Sequence, residues 1–415
     1  MFSRRLQWPY PPNRLSRLLE EKRARGAAVL DLTESNPTRA GLGYPAEAIA
    51  AALHDPAVAA YEPSPRGLEQ ARAAVASWHA QRGLRADPGR IVLTAGTSEA
   101  YSYLWKLLAD PGDVVLVPRP SYPLFDYLAA LDGLKAAGYP LHDDDDRWAI
   151  DFAALEAACG TAGGRAPRAI VVVNPNNPTG SALRESERAR LEEIAARAGA
   201  AIISDEVFLD FLDPPPAPGL QGEMGDRIVS LLTEAAVPRT DGSAAGRSGP
   251  LKFALGGLSK SCGLPQMKLG WIVVDGPDGP AGEALERLDL IADTYLSVGT
   301  PVQRAAARLL EVGEGIRAVI RERLEENLGA LRQAVGPASA CRVLPRDGGW
   351  YAVVQVPAVV TEEDRILALL AEDDVLVHPG YFFDFPREAY LVLSLLPDPG
   401  TFREAVRRIL ARIER

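Results

Sequence analysis

Residues 256–271 read GGLSKSCGLPQMKLGW, a lysine between two serines, after two glycines and before a Gly-Leu-Pro bend. Lys260 is either a solvated charge or an amine held for covalent chemistry. NPNNPTG at 174–180 joins two Asn-Pro pairs to a Thr-Gly. Proline fixes φ in such a turn, and its amides stand exposed. Asp205 follows the apolar run AAIIS. A carboxylate at the end of a buried strand is costly unless it meets a cation or a donor. TAGTSEA at 94–100 places Gly96, Thr97 and Ser98 at a turn that opens a helix. Free N–H groups and two hydroxyls there suit an anion. Each feature has a plainer reading: a strand-ending turn, an Asp pairing with a structural Arg, and a helix capped by Ser98 and Glu99.

The elements around these residues give them a common setting. RIVLTAG (90–96), DVVLVPRP (113–120), RAIVVVNP (168–175), AAIISDEV (200–207) and KLGWIVVD (268–275) read as short buried strands. Segments 98–110 and 186–199 read as helices between them. Such alternation predicts a parallel sheet covered on both faces, whose ligands sit at the carboxyl ends of the strands. Gly96 to Ser98, Tyr122, Asn174 to Gly180 and Asp205 all follow strands. Residues 213–226 read as turn-rich and 240–250 as a surface loop. From about 293 the pattern changes to a long amphipathic helix, roughly 301–335, then a strand region at 342–357, a helix, a strand and a final helix at 401–414.

Composition bounds the function. The chain has 415 residues, enough for two domains, with 47% hydrophobic and 24% charged residues. The net charge of −10 argues against a general nucleic-acid or anionic-membrane binder and leaves room for a local cationic pocket. No segment approaches the roughly 20 apolar residues of a membrane span, and the start reads as no signal peptide. Cys159, Cys262 and Cys341 stand apart, which fits a reducing cytoplasm. The four histidines form no ligand pattern, so no catalytic metal site is expected.

Taken in order, TAGTSEA, PSYPLF, NPNNPTG, Asp205 and SKSCGLPQMK resemble the motifs of the class I/II aminotransferases, fold type I enzymes that use pyridoxal 5′-phosphate. The resemblance runs from about residue 30 to the C-terminus. It implies a mostly parallel seven-stranded sheet covered by helices in a large domain, 45–292. A smaller α+β domain would comprise 1–44 and 293–415. It implies transfer of an amino group between an amino acid and a 2-oxo acid by a ping-pong mechanism through a Schiff base on Lys260. By the same resemblance Asp205 pairs with the cofactor's ring nitrogen. Asn177 bonds its phenolic oxygen, Tyr122 stacks on its ring, and Ser259 is a further contact. Gly96, Thr97 and Ser98 form the phosphate turn. Tyr61, in YEPSPRG, would reach the phosphate of a neighbouring subunit, which implies a homodimer.

Five positions depart from that pattern. Phe208 stands where a tyrosine usually donates to the phenolic oxygen. Lys268 stands where an arginine clamps the phosphate, keeping the charge without the bidentate fork. Gly257 replaces a serine. In YLVLSLLP, Val392 occupies the place of the arginine that binds the substrate carboxylate, and Ser35 that of a glycine near the same group. Arg346 and Arg387 are the candidate replacements. The substrate pocket is expected to include Trp350, Tyr351, Tyr381 and Phe382. Two other readings stand beside transamination: a lyase, oxidase or cyclase on the same fold, and a non-enzymatic regulator on an inactive domain.

Overall fold

The structure is a computed structural model that describes residues 2–6, 8, 13–144, 146–161, 166–213, 226–232 and 249–414. Segments 213–226 and 240–250, read above as turn and loop, lie almost wholly outside these residues.

Eight strands form the main sheet: β1 (Ile91–Thr94), β2 (Val114–Arg119), β3 (Lys135–Asp143), β4 (Trp148–Ile150), β5 (Ala169–Val173), β6 (Ala201–Asp205), β7 (Lys252–Gly257) and β8 (Gly270–Asp275). Their spatial order is β1-β8-β7-β6-β5-β2-β3-β4. Only β8 and β4 run antiparallel to the rest. Both faces are covered, which explains the unbroken apolar runs. Ile170 and Val172 of β5 enter one core while Val171 and Val173 enter the other. One core holds helices Thr97–Leu108 and Asp278–Tyr295; the other holds Glu69–Ala80, Glu185–Ala198 and Ala306–Ala334.

The expectation of seven strands is corrected to eight. The extra strand, β4, is three residues long and returns antiparallel along the outer edge, with Leu141 opposite Ile150. The long helix expected over roughly 301–335 is two helices, Thr300–Arg304 and Ala306–Ala334, separated at Ala305.

A second sheet, β9 (Arg342–Val343), β10 (Tyr351–Gln355), β11 (His378–Pro379) and β12 (Tyr390–Ser394), is antiparallel in the order β9-β10-β12-β11. The N-terminal segment joins this part of the molecule: Leu30–Asp31 pairs in parallel with Val375–Leu376. The segment then continues alongside β12, where Ser394 N donates to Leu32 O.

Candidate active site

β1, β5, β6 and β7 point the same way, so their carboxyl ends share one edge of the sheet. The chain leaves those ends at Gly96, Asn174, Asp205 and Lys260. Tyr122 follows the parallel strand β2 on the same edge. Five chemistry-bearing positions separated in sequence are thereby brought together.

The NPNNPTG turn divides its asparagines by task. Asn174 donates to Val229 O at 2.8 Å and accepts from Leu183 N at 2.9 Å. Asn176 donates to Pro120 O and Thr179 Oγ1, and accepts from Ser121 Oγ at 2.6 Å. These two fix the turn. Asn177 Oδ1 is buried with no hydrogen-bond partner among the described residues. Gly180, at φ +71°, accepts at its carbonyl from Asp347 N and Gly348 N. A Cβ there would stand 2.4 Å from Gly348 O, so only glycine lets the two loops close on each other.

Asp205 is 8% exposed. Burial raises its pKa to about 6 against the opposing donation of Val207 N–H at 3.3 Å and Tyr101 hydroxyl at 3.2 Å. Tyr101 escaped the sequence reading. It lies four residues after Thr97 in helix Thr97–Leu108, on the face that carries the turn, and that spacing was its available signal.

Lys260 sits in the single turn Leu258–Ser261 that follows β7. Burial lowers its pKa to about 8, partly countered by Asp205 and Glu34. Its Nζ is 4.7 Å from the Trp350 ring centroid, 5.8 Å from that of Phe208, and 3.4 Å from Ser35 O. Phe208 is packed edge-on against Trp350, with centroids 5.4 Å apart. Ser259 is half-buried beside Lys260 in the same turn. Tyr122 meets Phe125 edge to face at 5.8 Å, and burial, with Asp205 and Tyr351 nearby, pushes its hydroxyl up to about 12.

The phosphate-binding expectation meets an open turn. The hydrogen bonds of helix Thr97–Leu108 begin with Glu99 N and Ala100 N on Gly96 O, so the Thr97 and Ser98 N–H groups precede that ladder. Glu99 does cap locally, accepting from Ala95 N at 2.6 Å. Lys268 is exposed, and its Nζ stands 3.7 Å from where a Cβ of Gly96 would be. Gly270 approaches Gly96 Cα so closely that a Cβ would stand at 3.0 Å. At Gly257 a Cβ would lie 3.1 Å from Leu269 O, which disfavours the serine of the usual pattern.

Other expected residues fall elsewhere. Tyr61 is 76% exposed and borders a cavity with Ser64, Tyr103 and Ser297. Arg346 is turned into its own loop, donating to Gly348 O and Gly349 O with Asp213 at 3.8 Å. Arg387 is exposed, with no ion pair among the described residues. Tyr381 is 43% exposed, and Phe382 packs on it and on His378. Val392 is fully buried opposite Val353, on the face of β12 that carries Ser394. Ser394 Oγ donates to Glu34 O at 2.6 Å, and Tyr351 stands opposite Ser394 in the sheet. Glu34 is the second residue that the sequence reading missed.

The described residues contain no group of His, Cys, Asp and Glu suited to a metal ion, and no helix long and apolar enough to cross a membrane. Comparison with known proteins gives a consistent result. A "Glutamate-pyruvate aminotransferase AlaA" of Haemophilus influenzae is 27% identical over 94% of this chain and 91% of its own. An "Alanine aminotransferase" of Mycobacterium bovis is 28% identical over 93% and 86%. Among solved structures, an alanine aminotransferase from Pyrococcus furiosus superposes with a TM-score of 0.83 at 23% identity, covering all of both chains. An aspartate aminotransferase from Thermotoga maritima gives 0.77 at 22%, again over both whole chains. These last two show the shared fold. The sequence profile of "Aminotransferase class I and II" matches residues 27–409, a span that includes every strand-end motif above from Gly96 to Lys260. The order of motifs, the fold that gathers them and this match over almost the whole chain place the protein in the class I and II aminotransferase family, as a transaminase.

Proposed function

We propose that the chain binds pyridoxal 5′-phosphate with Lys260 as its covalent anchor, and moves an amino group from an amino donor to a 2-oxo acid. The observation that carries this is the placing of Lys260, with its lowered proton affinity, on the same sheet edge as the buried Asp205. The residues present fit the cofactor. Asp205 is a buried carboxyl in need of a cation, Asn177 Oδ1 marks an amide without a partner, and Gly96 leaves a space beside Lys268 Nζ that a Cβ would narrow.

When bound, the cofactor supplies an electron sink that acidifies the substrate Cα–H. The chain's residues do the rest. Asp205, steadied by Tyr101, would hold a positive ring nitrogen. The Thr97 and Ser98 N–H groups and Lys268 would hold the phosphate. Tyr122 would cover one ring face, with Asn177 at the ring edge and Phe208 adding apolar surface. Trp350 and Phe208 shield the Lys260 amine from water. With a pKa of about 8, about a tenth of that amine is neutral at pH 7, against about one part in three thousand for an ordinary lysine. It could therefore take a proton from Cα and return it to the cofactor's C4′ carbon, two atoms away across the amino nitrogen.

We also take the enzyme to be a cytoplasmic homodimer with the domain division 45–292 and 1–44 with 293–415. Exposed Tyr61, Leu290 and Tyr295 support the dimer, and three free cysteines without a disulfide support the compartment. The names of the relatives make pyruvate the first acceptor to try. Incubation of the holoenzyme with a donor should bleach its visible cofactor band, and pyruvate should restore it with release of alanine. Release of ammonia or peroxide instead would favour a lyase or oxidase.

A further inference from the structure

The substrate side of the site carries an acidic group on the segment beside β12, the strand in which a carboxylate-binding arginine is expected. Glu34 and Ser35 form the strip that meets Lys260, since Lys260 Nζ lies 3.4 Å from Ser35 O. Two contacts fix the strip. Ser394 Oγ donates to Glu34 O at 2.6 Å, and Asn36 N donates to Glu34 Oε1 at 2.8 Å. The Glu34 carboxylate is half-buried and is paired with no Lys, Arg or His among the described residues. The β12 face behind the strip offers Val392, fully buried, and Ser394. Arg346, the expected alternative cation, is committed to two carbonyls and Asp213. The charged groups that act on Lys260 are both carboxylates, Asp205 and Glu34; those acting on Tyr351 reduce to Glu34 alone.

Asp205 is already spoken for by the cofactor in the reading above, on which this inference rests. Glu34 remains as the second carboxylate acting on Lys260. A carboxylate there repels a donor's carboxylate and attracts a second ammonium group. We propose that Glu34 is a specificity residue that receives the distal ammonium of a short amino donor bearing two amino groups. The shared chemistry is a primary alkylammonium, whether from a basic amino acid or from a diamine.

The test uses pyridoxal-phosphate-loaded enzyme with pyruvate as acceptor, and reads kcat/KM for ornithine, putrescine, norvaline and glutamate. Norvaline matches the carbon skeleton of ornithine without the distal amine. The wild type should favour ornithine or putrescine over norvaline by about ten- to a hundredfold, the range of a charge-assisted hydrogen bond. Glu34→Gln should shrink the ornithine-to-norvaline ratio at least tenfold, and Glu34→Asp should restore most of it. Ornithine ahead of putrescine names a basic amino acid as the source; the reverse order names a diamine. Norvaline or glutamate equal to or better than both diamino donors in the wild type overturns the inference while leaving transamination intact. An unchanged ratio in Glu34→Gln does the same. No alanine from any donor overturns transamination itself, and the inference with it.

Discussion

Burial moves Lys260 and Asp205 in opposite directions, the amine down to about 8 and the carboxyl up to about 6. The rise at Asp205 has a consequence for the cofactor-free chain. Below its unfolded value the carboxyl is protonated in both states, and folding bears no charge burial. As pH rises through about 6 that advantage is lost, by about 3 kcal/mol in total. Asp205→Asn apoprotein should therefore be more stable than wild-type apoprotein at pH 8, and should lose that lead at pH 4; urea unfolding at the two pH values measures it. The same variant should lose far more turnover than Lys268→Ala at saturating cofactor. In the proposed roles, Asp205 would act on the ring in every proton transfer, whereas exposed Lys268 would be one phosphate contact among several. Equal losses would show that the two roles are misassigned. Borohydride reduction of the holoenzyme followed by peptide mapping should place the pyridoxyl group on Lys260, and label on another lysine would refute the anchor. Phe208→Tyr should lower the pKa of the Lys260 nitrogen in the holoenzyme, read by spectral titration, because a donor to the cofactor's oxygen weakens that oxygen's hold on the nitrogen's proton.

At the scale of elements, the site depends on loops that close to less than the width of a methyl group. Gly180→Ala would drive a Cβ to 2.4 Å from Gly348 O at a left-handed φ. A loss of about 1–3 kcal/mol in stability is expected, with weaker cofactor retention because Asn177 shifts with the turn; thermal unfolding and cofactor dissociation report the two effects. The elements that the sequence made legible are those buried on both faces. The readings at 90–96, 168–175 and 200–207 correspond to Ile91–Thr94, Ala169–Val173 and Ala201–Asp205. β3 was not read because KAAGYPLHD is largely exposed near the sheet edge and lacks an apolar run. β4 followed an acidic stretch and was too short to show a period. Lys260, Asp205 and Asn177 were legible because each sits in a distinctive local string. Tyr101 and Glu34 were not, because their meaning comes from partners more than a hundred residues away: Asp205 for the first, Ser394 and Lys260 for the second.

For the whole molecule, Tyr61 borders one cavity with Tyr103, on which Tyr295 stacks, and Leu290 is 74% exposed on the helix that carries Tyr295. Tyr295 stacks on Tyr103, with ring centroids 5.6 Å apart, and so presents a rigid apolar platform. If this face meets its own copy, Leu290→Asp should yield monomers in sedimentation and weaken cofactor binding, because Tyr61 would no longer reach the neighbouring phosphate. A variant that stays dimeric with full affinity would move the interface elsewhere. The strip from Leu30 to Ser35 has a further consequence, one that belongs to biosynthesis. Its hydrogen bond from Ser394 to Glu34 spans 360 residues of chain, and its strand partners are Val375 and Leu376. At about 5–20 residues per second, a ribosome would expose residue 35 tens of seconds before residue 394. The strands that carry Gly96, Asn177, Asp205 and Lys260 would all emerge in that interval. The half of the site proposed to hold the cofactor can thus assemble on the nascent chain, and the half proposed to choose the substrate must wait for the last strand.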